Sequence, residues 1–196
     1  MAKRSKKKKA MGHPTTAMGV VTNASPKLSS LSRDWLWGLI LLLAVIVAYS
    51  PVWWAAYIWD DDLVLTGNPV IIGPQGLKEI WTTAAADICP LTITTFWVEH
   101  ALWGLAPLPY HLVNVALHGA SALLLWRVLR ELKIPGAWLG AALWAFHPVL
   151  VESVAWITEM KNTESGLFYL LTIFSLCDMC GNEELTPRAK MAGIMG

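Results

Sequence analysis

Charge is what this chain has least of. Only 15% of its 196 residues are Asp, Glu, Lys or Arg, against about 25% in an ordinary soluble domain. Its three cysteines are too few for a disulfide-stapled secreted module. No internal repeat is visible, and no alternation of strands and helices leaves room for a nucleotide-binding α/β sheet. Low charge together with 55% hydrophobic residues excludes a disordered chain, except at the ends, and a cytosolic globule. The net charge of +1 says little about nucleic acid, because the basic residues sit in one tail. That tail reads as a topology signal in contact with anionic lipid, so nucleic acid is not an expected partner.

Long apolar runs and tryptophan are abundant instead. Mean hydropathy is +0.47 and there are 12 Trp, a residue that bilayer interfaces favour because its ring is apolar and its N–H stays wet. The first uncharged run, Trp35 to Trp59, lies between Asp34 and Asp60. As a helix it exceeds the ~30 Å hydrocarbon core, and it is too long for the apolar core of a cleaved signal peptide. Further spans are expected at about 110–132, 136–157 and 163–180, the last being short before Asp178. The expected architecture is an all-α membrane protein with about four transmembrane helices. A basic tail (1–34) precedes the membrane domain (35–180), and a second tail (181–196) follows it.

Charge segregation gives the sidedness. Lys3, Arg4, Lys6 to Lys9, Lys27 and Arg33 precede the first span, Arg127, Arg130 and Lys133 join the second to the third, and Arg188 and Lys190 follow the fourth. Asp60, Asp61, Asp62, Glu79, Asp87, Glu99, Glu152, Glu159 and Glu164 fall in the other two connections. Basic segments stay cytoplasmic, so both termini are expected inside and the acidic segments outside. The outer loop, 60–109, should carry interfacial helices near Leu77 to Ala85 and Leu91 to Leu105, anchored by Trp81, Trp97 and Trp103.

Polar groups gather at the outer ends of the spans. Asp60, Asp61 and Asp62 are adjacent carboxylates that repel one another. They could bind a divalent metal, with Asp60 and Asp62 as candidate ligands, supply a general base, or simply open a solvated loop. His111, Asn114 and His118 recur at i, i+3 and i+7 on one helix face, placed to bond other helices or line a cavity. Between His147 and Asn162, Pro148 should kink or restart the third span. Glu152, Glu159, Lys161 and Asn162 follow, an acid, cation and amide set suited to a phosphate-bearing ligand at headgroup level; an interfacial helix with surface ion pairs is the alternative. Cys177 and Cys180 form a C-x-x-C too isolated for zinc.

The run Tyr110-His-Leu-Val-Asn-Val-Ala-Leu-His118 and the segment His147 to Asn162 resemble the membrane part of bacterial tetratricopeptide-repeat proteins with a glycosyltransferase domain. Those are similar to the animal transmembrane and tetratricopeptide-repeat-containing O-mannosyltransferases. The resemblance runs from about Trp35 to Phe174. It implies a partial GT-C fold and transfer of sugar from a polyprenyl-phosphate carrier to an acceptor hydroxyl, typically on protein, at the extracytoplasmic face. It also implies a multi-pass protein of the bacterial inner membrane in contact with membrane lipid. Carried over, Asp60, Asp61 and Asp62 are the catalytic candidates, with the base at Asp60 or Asp61. His111, His147, Glu152, Glu159, Lys161 and Asn162 are the donor-binding candidates. Met160 departs from the family, which usually has a basic residue before the Lys-Asn pair. GT-C enzymes have many more helices, so the chain is expected to be an N-terminal fragment without independent catalysis. The competing expectation is a non-catalytic four-span protein that assembles with a partner through its polar stripe.

Overall fold

The computed structural model describes residues 28–73, 76–84 and 89–194, with side chains within these from Arg33 to Cys180. Most of the basic tail (1–27), Asp87 and the side chains of 181–196 therefore lie outside the described residues. Those described form helices and turns, with no strand among them.

Helix α1 (Leu28–Ala48) does not continue to Trp59 as the uncharged run suggested. Pro51 removes a donor and restricts Ser50, so the helix ends and a tight turn, Ser50–Trp54, follows. Two short helices come next. In α2 (Pro69–Ile72) the Asn68 side chain caps the start by accepting the Val70 N–H at 3.0 Å, with Pro69 in the first turn. Gly76 opens α3 (Gly76–Thr82), where a Cβ would lie 1.9 Å from the Val70 carbonyl oxygen. That close approach admits only glycine. Helix α4 (Pro90–Trp103) stops at Gly104, whose φ of 61° lies in the left-handed region. The two helices expected in this loop thus form, within a few residues of the expected bounds.

Helix α5 (Pro107–Glu131) starts slightly earlier than Tyr110 and is the axis of the molecule. It is one helix among the described residues that is long and apolar enough to cross a membrane, with a mean hydropathy of 1.5. The expected third span is broken: α6 (Ala137–Ala145) has 9 residues, short of a ~30 Å core, before His147-Pro148 interrupts it. The chain restarts as α7 (Leu150–Ala155), makes a turn at Ile157–Glu159, and continues as α8 (Met160–Ile194).

Two apolar clusters hold these pieces. Leu41 and Val45 of α1 meet Val115, Ala122 and Trp126 of α5 and Ala141 and Ala145 of α6. At the end carrying the aspartates, Leu65, Ile71, Ile80, Phe96, Tyr110, Ile157 and Met160 form the second. This cluster seats the loop helices on α5 and the start of α8, which positions the candidate site. Two of the three polar residues of the α5 stripe are satisfied within the chain. Asn114 donates to the Trp156 carbonyl at 3.0 Å and accepts from Thr163, while a ring nitrogen of His118 bonds the Ala145 carbonyl at 2.9 Å.

Candidate active site

The backbone turns sharply into the aspartates. Trp59 has φ of 51°, a left-handed conformation that costs a bulky residue about 1–3 kcal/mol. Its ring packs edge-on against Trp156 at 4.8 Å. The next residues then meet the turn before α8. Thr158 donates its backbone N–H to Asp61 Oδ1 at 3.1 Å and its hydroxyl to Asp60 Oδ1 at 3.0 Å. Asp61 Oδ2 accepts the Ile58 N–H at 2.9 Å.

These bonds divide the three acids. Asp61 is fully buried with an amide donor on each oxygen, a compensated carboxylate in a structural position. Asp60 is exposed and lines a cleft. Asp62 is exposed too, but accepts the Thr66 hydroxyl at 3.1 Å in the turn Asp62–Thr66 and lies outside the cleft lining.

The cleft has a volume of about 480 Å³ and is lined by Asp60, Asn68, Cys89, Thr92, Phe96, Thr158 and Lys161, among others. Lys161 donates to Glu159 Oε1 at 2.8 Å. That hydrogen bond, with the acids nearby, holds the Lys161 ammonium above its ordinary pKa, so it remains a cation. Glu159 also accepts from Asn162, which donates in addition to the Ser153 hydroxyl at 3.1 Å. His111 is 1% exposed, in the neighbourhood of Asp61 and the Ala155 backbone.

Of the residues singled out from sequence, Asp60, Asp61 and Lys161 thus come together around Thr158. His111 lies behind them, and Glu159 and Asn162 beside Lys161. Glu152 is exposed on α7 and His147 is exposed at the break after α6, where Nδ1 accepts the Val149 N–H at 3.3 Å. Neither lines the cleft. Asp60 and Asp62 are held apart by different bonds. Among the described residues no three His, Cys, Asp or Glu side chains gather in a way that could hold an ion.

Sequence reasoning missed Thr158, although it stood inside the quoted motif. It also treated Glu99 and Glu164 as loop charges. Both are buried. Thr92 and Thr95 donate to Glu164 at 2.7 and 2.6 Å, while neither oxygen of Glu99 has a hydrogen-bond partner. Burial first, and then the charge of Glu164, push the Glu99 carboxyl up to about 8. The spacing of Thr92, Thr95 and Glu99 at i, i+3 and i+7 was the available signal, a polar face on a helix otherwise read as interfacial.

Helices packed on an apolar axis, with an acid, a threonine and a lysine at one corner, are consistent with a membrane protein carrying a polar site at one end. In sequence the chain is similar to protein O-mannosyl-transferases of the TMTC family. It is 27% identical over 185 residues to protein O-mannosyl-transferase F38B6.6 of Caenorhabditis elegans, covering 86% of this chain and 26% of that protein. It is 35% identical over 101 residues to mouse protein O-mannosyl-transferase TMTC2, covering 50% and 12%. With Drosophila melanogaster Tmtc1 it shares 31% identity over 135 residues, covering 62% and 16%. The chain therefore spans about a quarter or less of the length of these relatives. No family model and no solved structure matches it.

Proposed function

We propose that this chain carries the acid-bearing corner of a membrane glycosyltransferase that moves a sugar from a polyprenyl-phosphate carrier to a hydroxyl on a protein acceptor. The names of its relatives favour mannose as the sugar. The observation that carries the reading is the cleft lined by both Asp60 and Lys161, the first held by Thr158 and the second by Glu159. An exposed carboxylate and a fixed ammonium in one cleft match the two charges of the reaction. Asp60 accepts the proton of the acceptor hydroxyl as its oxygen bonds the anomeric carbon. The bond from that carbon to the lipid phosphate breaks, and the phosphate leaves with the electron pair toward Lys161. Configuration inverts, so no covalent enzyme intermediate is needed. Asp61 is too tightly bonded to act as base and serves to hold Asp60 in place.

In this reading the membrane domain crosses with α1, α5, the pair α6 and α7 as one broken helix, and the first part of α8. The loop 60–109 lies on the extracytoplasmic face of a bacterial inner membrane, and the basic N-terminus lies inside. Segregation of Lys and Arg from Asp and Glu supports this placement. Assembly through the polar stripe is less well supported, because Asn114 and His118 already find partners within the chain.

The test is transfer from polyprenyl-phospho-mannose to an acceptor protein by the purified chain, compared with Asp60→Asn. Loss of transfer in the variant with an unchanged melting temperature supports the assignment. Measurable and equal transfer by both removes Asp60 from the chemistry.

A further inference from the structure

The cleft wall facing Asp60 is α4, and beside the apolar cluster that seats it, α4 meets α8 through an acid. Glu164 of α8 is buried and both of its oxygens accept hydroxyls of α4, from Thr92 and Thr95. Farther along the same helix, Glu99 is 3% exposed and neither oxygen has a partner. An ionised carboxylate there would be an uncompensated buried charge facing another acid. The groups that face Glu99 are Glu164 from α8, Tyr57 from the segment before Asp60, and Tyr110 from α5. Helix α2 contributes no titratable residue, and on α3 Lys78 is exposed and Glu79 half-buried. On α4 itself the neighbour is His100, also half-buried. No cation pairs with Glu99.

We propose that Glu99 and Glu164 form a one-proton latch: with the proton on Glu99, α4 lies closed against α8, and when that proton leaves to solvent, α4 lifts and opens the cleft at Thr92. Ionisation in place would set two carboxylates against each other in a medium where neither is hydrated. Moving α4 outward lets water reach Glu99. The chain has a joint for this at Gly104, where α4 ends with positive φ and where an added Cβ would meet nothing within 4 Å. The pKa near 8 places the transition just above neutrality.

Cys89, half-buried in the cleft lining at the other end of α4, reports the opening. In the full chain carrying Cys177→Ser and Cys180→Ser, the rate of Cys89 alkylation by N-ethylmaleimide is measured from pH 6.5 to 9. Thiol ionisation raises the rate in every variant, so the quantity of interest is the ratio to Glu99→Gln, whose amide cannot ionise. That ratio is expected to rise about tenfold across the range. Glu164→Gln removes the repulsion but leaves the larger effect, burial, in place, so it should reduce the rise only in part. Thr92→Val/Thr95→Val should raise labelling at every pH while keeping the rise. Identical pH profiles in the parent and in both Gln variants would overturn the latch. So would a Glu99→Gln protein already labelled at pH 6.5 as fast as the parent at pH 9. No sugar donor is involved, so this result stands apart from the transfer assay.

Discussion

Thr158 donates its backbone N–H to Asp61 across 97 residues of sequence, and this bond ties the turn after the first helix to the turn before the last. The same residue's hydroxyl reaches Asp60. One threonine thus fixes the buried acid and the exposed one through separate donors, and the hydroxyl can be removed while the N–H is kept.

Thr158→Val removes only the hydroxyl. The expected result is a loss of about 0.5–1.5 kcal/mol in unfolding free energy and a larger proportional loss in transfer rate, because Asp60 gains freedom at the reacting distance. Thr158→Pro deletes the N–H as well, leaving one oxygen of a buried carboxylate unpaired. Thermal unfolding of the two variants should show the proline variant clearly the less stable.

Asp60 and Asp61 should separate cleanly under amide substitution. Asp61→Asn turns an amide group toward a backbone N–H and is expected to cost about 1–3 kcal/mol. Asp60→Asn, at an exposed position, should leave the melting temperature within about a degree or two while abolishing transfer. The reverse pattern would move the base to Asp61.

Stability should fall as pH rises. The Glu99 carboxyl titrates near 8 in the folded chain, above the ordinary 4.5. Between those values the folded state holds a proton that the unfolded state has released. The stability Glu99 contributes is complete below about 4.5 and is lost as pH climbs through about 8, with a slope of about 1.4 kcal/mol per pH unit for one proton. Above that both states are ionised and the slope vanishes. Melting temperatures of the parent and of Glu99→Gln across pH 5 to 9 check this, the variant being expected to lose most of the slope.

Lys161→Gln keeps a donor for Glu159 but removes the cation from the cleft. Under the transfer reading, binding of the polyprenyl-phospho-sugar should weaken by about tenfold or more, since hydrogen bonds between charged groups contribute about 1.5–3 kcal/mol. Asn162→Ala, which touches Glu159 and Ser153 instead, should have a smaller effect. Titration with a polyprenyl phosphate lacking sugar measures both.

The sequence carried the parts that local chemistry decides. Pro148 announced the break between α6 and α7, and the i, i+3, i+7 spacing of His111, Asn114 and His118 announced a buried face, with all three inside. The end of α1 at Ala48 was hidden by hydropathy, because Trp53 to Trp59 remain apolar whether helical or not, and the signal was Pro51 alone. The division of labour among Asp60, Asp61 and Asp62 was not legible at all. It depends on donors of Thr158 that arrive from the far side of the chain, and three identical letters give no hint of which one is enclosed. Glu99 and Glu164 were invisible for the same reason, since burial of an acid is decided by what packs over it.

Trp59 has a consequence for how tolerant this corner is to change. Its backbone is the elbow that aims Asp60, and the rotation it adopts is one glycine would adopt without resistance. Yet glycine would surrender the ring that abuts Trp156 and turn a stiff elbow into a swivel. Such a replacement would ease the chain locally and scatter the acid's aim, so a protein that melts no sooner would still be a poorer catalyst. Sturdiness and accuracy are governed at this residue by opposite demands.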